Sequence, residues 1–522
     1  MTNTSETQTF PQPNNLHELL AHRAAMAPQK SFLFSEADGR KFSYEEFMRA
    51  VNRAAHMLAS QGVGKGDVVS LLMPNSAEYI IAYFACWKLG AVAGPINSLL
   101  KAQELAFVLS DSETKTLLVH SDFLETIESL RKELPLLRAV IKFDYEATSS
   151  KDFSGEAPSI SSSLPDIDCD SEAIIIYTSG TTGKPKGCLL THGNLIANAR
   201  QISEWLGFSK DDRLLTIMPL FHMNAVSVTT MSALYAGGST VVSPKFSASR
   251  FWQIISDYQI TSFGSVATML SMLLTTHPDG VPKGLTTDQL RFAMCGSAPV
   301  PAEVMKRFEG TFNCLVIEGY GLSESTCRST FNPPNEQRRP GSCGKPIGNE
   351  MQVVDEDDQE VANGELGEIV LRGDNILKGY YRNPDATATA FRNGWFHTGD
   401  VGYRDADGFF YIVDRKSDMI IRGGENIYPR EIDEVLYQHP AVAAAATIGV
   451  ADQLYGEEVA AFIVLKEGRE ATEEEFIAFC RARLADYKCP KSVHFLKEIP
   501  KGPTGKLLKR ELARQFLQSE NA

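Results

Sequence analysis

The sequence has only nine cysteines, with no pair two residues apart and no regular spacing among them. That argues against a structural zinc site and a disulfide framework, and it fits a reducing, cytoplasmic setting. No apolar run is long enough to cross a bilayer. The most apolar stretch, Tyr79–Ile96, is broken by Lys88, Gly90, Gly94 and Pro95, so it reads as a core helix followed by a strand. Positive charge is scarce: the net charge is −14, which excludes wholesale nucleic-acid binding and confines any phosphate site to a local basic patch. Met1–Asn15 has no apolar centre and reads as a disordered tail rather than a signal peptide. Ser519–Ala522 carries no peroxisomal address. Self-association into a homo-oligomer is left open.

What is present is a chain of 522 residues, 43% of them hydrophobic, enough for two or more domains. Its chemistry gathers in one stretch, Tyr177–Gly187. The apolar run Ala173–Ile176 leads in as a buried strand, and His192–Trp205 follows with helical spacing. Polar loops at strand ends are where α/β folds place ligands. Gly180, Gly183 and Gly187 let backbone N–H groups approach an anion, Ser179, Thr181 and Thr182 add hydroxyls, and Lys184 and Lys186 add charge. A Walker A loop is excluded, because Pro185 follows Lys184 where Ser or Thr should stand.

Strands and helices alternate from Leu16 to Phe143, and again from Ala173 to Ser325, with a Ser/Asp/Pro-rich connector at Glu146–Asp170. This predicts two successive α/β subdomains built on parallel sheets. After Pro340 the pattern turns to hairpins, Met351–Val354 with Gly367–Leu371 and another centred on Asp405–Gly408, giving a small β-barrel or β-layer. Beyond Asp414–Asp418 a hairpin, a helix from Pro429, two strands and a further helix predict a small α+β domain. The expected organisation is a tail at 1–15, a core at 16–415 and a C-terminal domain at 416–522.

Other polar stretches follow strands or sit at the boundary: Pro219–His222, Gly296–Pro299, Glu318–Glu324, Trp395–Asp400, Asp414–Arg415, Arg422–Asn426 and Pro503–Lys506. Singly, each has an ordinary structural reading; His222 could be a core histidine and Asp400 a turn cap. With the opening loop they resemble the adenylate-forming superfamily of acyl- and aryl-CoA synthetases, peptide-synthetase adenylation domains and beetle luciferases. The resemblance extends from near Leu16 to Lys509. Gly187–His192 and Phe409–Pro429 look most like CoA ligases for fatty, carnitine-type or cinnamic-type acids.

The resemblance implies an ATP- and Mg²⁺-dependent enzyme that makes acyl-AMP and passes the acyl group to coenzyme A. It places Thr178, Ser179, Gly180, Thr181, Thr182, Gly183, Lys184 and Lys186 around the phosphates. Tyr320 lies against the adenine, with Gly296, Ser297, Ala298 and Pro299 opposite, and Glu318, Gly319, Gly321 and Ser323 complete that nucleotide wall. Glu324 holds magnesium, Asp400 the ribose hydroxyls with Arg415 beside it, and His222 flanks the acyl carboxylate. Lys506 reaches in from the small domain for adenylation. Rotation about Ser417 then exchanges it for Gly423 and Gly424, which line the pantetheine tunnel. Ser417 and Ser323 depart from the commoner Asp or Lys and Thr.

The family's acyl pocket maps to Asn224–Val228, Ser265–Met269 and Gly319–Ser325. These residues are small or apolar, which favours an apolar chain or ring over an α-amino acid. An enzyme that loads a carrier protein in trans is the alternative; no carrier domain follows Leu508. A luciferase-like oxygenase and a non-catalytic nucleotide-binding protein are weaker readings, the latter because Lys506, Glu324 and Asp400 are all present.

Overall fold

Short apolar runs bounded by Gly, Pro and polar residues form two seven-stranded sheets, each with helices packed against it. This computed structural model describes residues 13–149, 165–178, 185–296, 300–502 and 507–520. In the first sheet the order is Gly379–Tyr380, Lys186–Thr191, Glu172–Thr178, Val92–Pro95, Val68–Leu72, Thr116–Val119, Ala139–Lys142. In the second it is Leu315–Glu318, Phe292–Cys295, Ser262–Ser265, Arg213–Thr216, Ser239–Val242, Ser31–Ser35, Lys41–Ser43.

Two features differ from the sequence reading. The sheets do not follow the chain in succession: Ser31–Ser35 pairs in parallel with Ser239–Val242, so the N-terminal strands complete the second sheet. The first is completed by Glu172–Thr178, which pairs with Val92–Pro95. The polar loop also does not open directly into the helix. Lys186–Thr191 is a strand antiparallel to Glu172–Thr178, so a second strand comes between the outgoing strand and the helix. Thr191 then caps the helix His192–Leu206: its side chain accepts from Asn194 N at 3.1 Å, and Asn194 reciprocates.

The helix Ala77–Lys88 is buried at every position, as an all-round apolar helix must be. Trp87 donates to Ala173 O at 3.0 Å on the first-sheet side, and Tyr83 to Leu220 O at 2.7 Å on the second. Asn75 joins the strand ends of the two sheets, accepting from Leu220 N at 2.7 Å and donating to Met218 O at 2.8 Å.

The hairpin region forms a five-stranded antiparallel sheet in which Trp395–Arg404 pairs with Gly367–Arg372, Phe391–Arg392 and Phe410–Arg415. Among the described residues no pairing joins its outer strands Glu350–Val354 and Phe410–Arg415, so it is the layer rather than the closed barrel. From Ile420 onward a five-stranded sheet and its helices carry two apolar clusters of their own. At the N-terminus the fold begins before Leu16. Asn15, read as the end of the tail, caps the helix Leu16–Met26 and donates to Ile167 O at 3.0 Å. Among the described residues no helix is long and apolar enough to cross a membrane.

Candidate active site

The strand Leu315–Glu318 of the second sheet leads at its C-terminal end to the strands Trp395–Arg404 and Phe410–Arg415 of the antiparallel layer. Tyr320 follows the strand Leu315–Glu318, and its hydroxyl donates to Asp400 Oδ2 at 2.5 Å. Asp400 is buried, paired across the sheet with Arg415, whose Nε lies 3.1 Å from Asp400 Oδ1. Burial and the adjacent carboxylate push the Tyr320 phenol well above its usual pKa. Burial opposes the Arg415 charge most strongly of any single cause, but Asp400, Tyr320, Asp418 and Glu324 together outweigh it and raise the pKa.

Glu324 lies in the turn Ser323–Ser325 and accepts a hydrogen bond from the Tyr380 hydroxyl at 3.1 Å. Lys186, the first residue of the return strand, holds its Nζ 5.2 Å from the Tyr380 ring centroid. Thr178 ends the outgoing strand, with its hydroxyl 3.8 Å from Cys188 Sγ. Lys186, Tyr380 and Glu324 form one connected group and Tyr320, Asp400 and Arg415 another, and Tyr320 and Glu324, four residues apart on one tightly folded segment, bring the two together. Tyr380 escaped the sequence reading; its signal was an unremarked Tyr-Tyr pair after Gly379.

Three glycines have steric reasons. A Cβ on Gly319 would lie 2.5 Å from Thr330 O, one on Gly321 1.9 Å from Cys327 O, and one on Gly296 2.5 Å from the Arg328 guanidinium. These approaches fold Gly319–Thr330 back on itself, with Ser329 N and Thr330 N both bonded to Tyr320 O. Thr326 takes φ +64° within this bend, a strained value for a β-branched residue, and its hydroxyl is held by Asn375 O at 2.7 Å.

Glu318 is buried. Its Oε1 accepts from Val300 N at 3.1 Å, and Oε2 has no partner. Burial raises its pKa from 4.5 to about 7. The stability carried by the protonated form is complete below the unfolded value and is lost as pH rises through the folded one. Glu318→Gln keeps the Val300 bond and cannot ionise. Its advantage over wild type is expected to grow from nothing near pH 4 to about 3 kcal/mol above pH 8. Thermal unfolding at several pH values checks this; a constant difference would refute it.

His222 is half-buried, its Nε2 is shielded from solvent and has no partner, and desolvation of the ring lowers its pKa to about 4, so it is neutral at pH 7. No described contact joins it to Glu324 or Asp400. It precedes the π-helical turn Asn224–Met231, a distortion that often marks functional sites. Ser417 is exposed and bonds its neighbour Asp418 at 2.9 Å. Gly423 and Gly424 form the tip of the hairpin Ile420–Arg422/Glu425–Ile427, with φ of +59° and +92°. No described contact joins these three residues to the cleft. Ser179, Gly180, Thr181, Thr182, Gly183, Lys184, Ser297, Ala298, Pro299 and Lys506 lie outside the described residues.

Comparison with known proteins agrees with this architecture. The model of the AMP-binding enzyme family matches residues 20–381, and that of the AMP-binding enzyme C-terminal domain matches 431–506. A sulfoacetate–CoA ligase from Cupriavidus necator is 38% identical over 504 residues, covering 96% of this chain and 97% of that protein. A long-chain-fatty-acid–CoA ligase from Mycobacterium tuberculosis is 36% identical over 508 residues, covering 96% and 98%. The solved o-succinylbenzoate CoA synthetase from Bacillus subtilis, in complex with its acyl-adenylate intermediate, superposes with a TM-score of 0.84 at 33% identity, covering 96% and 98%. The chain belongs to the AMP-binding enzymes, the adenylate-forming superfamily. Within that class it is an AMP-forming acid–thiol ligase.

Proposed function

We propose that this enzyme uses ATP with Mg²⁺ to convert a carboxylic acid into acyl-AMP and pyrophosphate, then transfers the acyl group to coenzyme A. The observation that carries this reading is the convergence of Lys186, Tyr380 and Glu324 with Tyr320, Asp400 and Arg415 at one strand-end cleft. A carboxylate attacking a triphosphate meets charge repulsion, and fixed cations and N–H dipoles lower that barrier. Asp400 accepts from the ribose hydroxyls, with Arg415 fixing its carboxylate. Tyr320 stands against the adenine. Lys186 and the loop before it hold the phosphates, and His222, neutral and with its Nε2 unpartnered, borders the acid.

Glu324 fits a magnesium ligand: it is a hard carboxylate at the cleft, and magnesium needs only one or two of these beside phosphate oxygens. When bound, the ion neutralises phosphate charge. Tyr380 orients that carboxylate, so Tyr380→Phe is expected to raise the Mg²⁺ concentration for half-maximal pyrophosphate release about tenfold or more. A Mg²⁺ titration checks it; an unchanged midpoint would remove Tyr380 from this role.

Residues 416–522 form the mobile domain in this reading, turning at Ser417, and their separate apolar clusters support a body that moves as a unit. Nothing supports a carrier protein in place of coenzyme A. All nine cysteines are free, which accords with the cytoplasm. The relatives' acids differ, one a sulfonate and one a long chain, so their names do not choose the substrate. Acid-dependent pyrophosphate release across short, medium, long-chain, aryl and betaine acids tests the first step. Thioester formation with coenzyme A tests the second. No release with any acid would overturn the proposal.

A further inference from the structure

Arg328 is 1% exposed. Its Nε and Nη2 have no hydrogen-bond partner, and among the described residues no carboxylate pairs with it. Ionised groups removed from water this completely are ordinarily paired, because an uncompensated buried charge is costly. The guanidinium lies against Gly296, within 2.5–2.7 Å of where a Cβ would stand, and over the Phe331 ring at 5.4 Å. The strained Thr326 turns the chain so that this side chain points inward.

Strand register shows what it faces. Gly264 pairs with Met294, so Gly264 and Gly296 lie on the same face of neighbouring strands. Asn224 covers Gly264, its Oδ1 2.8 Å from where a Cβ would stand, and both of its amide atoms are buried and unpartnered. Glu318 pairs with Cys295 and so leaves by the opposite face; its carboxyl does not answer the arginine. Arg328 and Asn224 therefore cover neighbouring positions on one face of this sheet, Asn224 within one stretch assigned to the acid and Gly264 next to another.

We propose that the acid activated here carries a second anionic group, a carboxylate or sulfonate at its far end, and that Arg328 binds that group, with Asn224 as a further donor. This rests on the acyl-CoA ligase reading and replaces the purely apolar acid expected from sequence. A guanidinium donates two parallel hydrogen bonds to either oxyanion. Without the ligand no carboxylate answers the charge, so this arginine favours a second anionic group over a neutral chain of equal length.

The test compares malonate, succinate and sulfoacetate with propionate, butyrate and an aryl acid. Pyrophosphate release is the readout, with thermal shift by the acid alone as a second. At least one dianionic acid is expected to exceed its monoanionic counterpart about 100-fold or more in kcat/KM. Arg328→Met should abolish that preference mainly through the KM of the acid, leave the KM of ATP unchanged, remove the thermal shift and raise the ligand-free Tm. Arg328→Lys should retain part of the preference and controls for a Met variant that fails to fold. If monoanionic acids turn over as well as dianionic ones and both variants keep wild-type selectivity, the proposal falls while the ligase reading stands. If no acid releases pyrophosphate, the ligase reading falls with it.

Discussion

Lys506→Ala is expected to lower acid-dependent ATP–pyrophosphate exchange by about 10²–10³-fold, a loss of about 3–4 kcal/mol of transition-state stabilisation. The positive charge acts where negative charge shifts between the acid oxygen, the α-phosphate and the leaving pyrophosphate, so its contribution belongs to the first step. Thioester formation from supplied acyl-AMP should stay within about twofold of wild type. The described residues on either side of it are tied by contacts of their own. Lys501 bridges Leu507, Leu508 N bonds Pro500 O at 2.9 Å, and Leu507 packs against a C-terminal apolar cluster. Single-turnover measurement of each half-reaction decides it, and equal loss in both would remove Lys506 from the first step.

Gly424→Leu is expected to do the reverse: slow thiol transfer by about 100-fold or more while exchange stays within about threefold. A Cβ at Gly424 meets no protein atom within 4 Å, so a leucine there can obstruct only something that arrives later. Its φ of +92° adds a separate penalty of about 1–2 kcal/mol for any L side chain. Gly424→Ala carries that strain with little bulk and should retain most thiol transfer. If alanine is as damaging as leucine, backbone strain and not a filled tunnel explains the effect.

Individual elements were readable because their periodicity is local. Ser31–Ser35, the helix Tyr44–Ser60 and the C-terminal hairpin all lie where pattern and turn residues predict. Strand ownership was not readable. The parallel partner of Ser31–Ser35 lies beyond residue 238, and no local signal encodes that distance. Lys186–Thr191 was missed because its polar start blends into the loop and its apolar part is short. In the cleft, motif residues were legible through resemblance, and Tyr320 with Asp400 and Arg415 converge in space. Arg328 was not: an arginine among Ser, Thr and Cys reads as solvated surface until the bend at Thr326 tucks it beneath Gly296.

The exchange of strands between the sheets constrains how the polypeptide comes into being on the ribosome. A nascent chain ending before Glu172 owns Ser31–Ser35 without its neighbour Ser239–Val242, and lacks the hairpin that covers Val92–Pro95. Both ladders then have open edges that can recruit other chains. Closure waits for segments made much later, so maturation is slow and aggregation-exposed. Fragments cut in the connector before Glu172 should be sticky rather than independently folded, although the sequence pattern alone suggests a natural seam there.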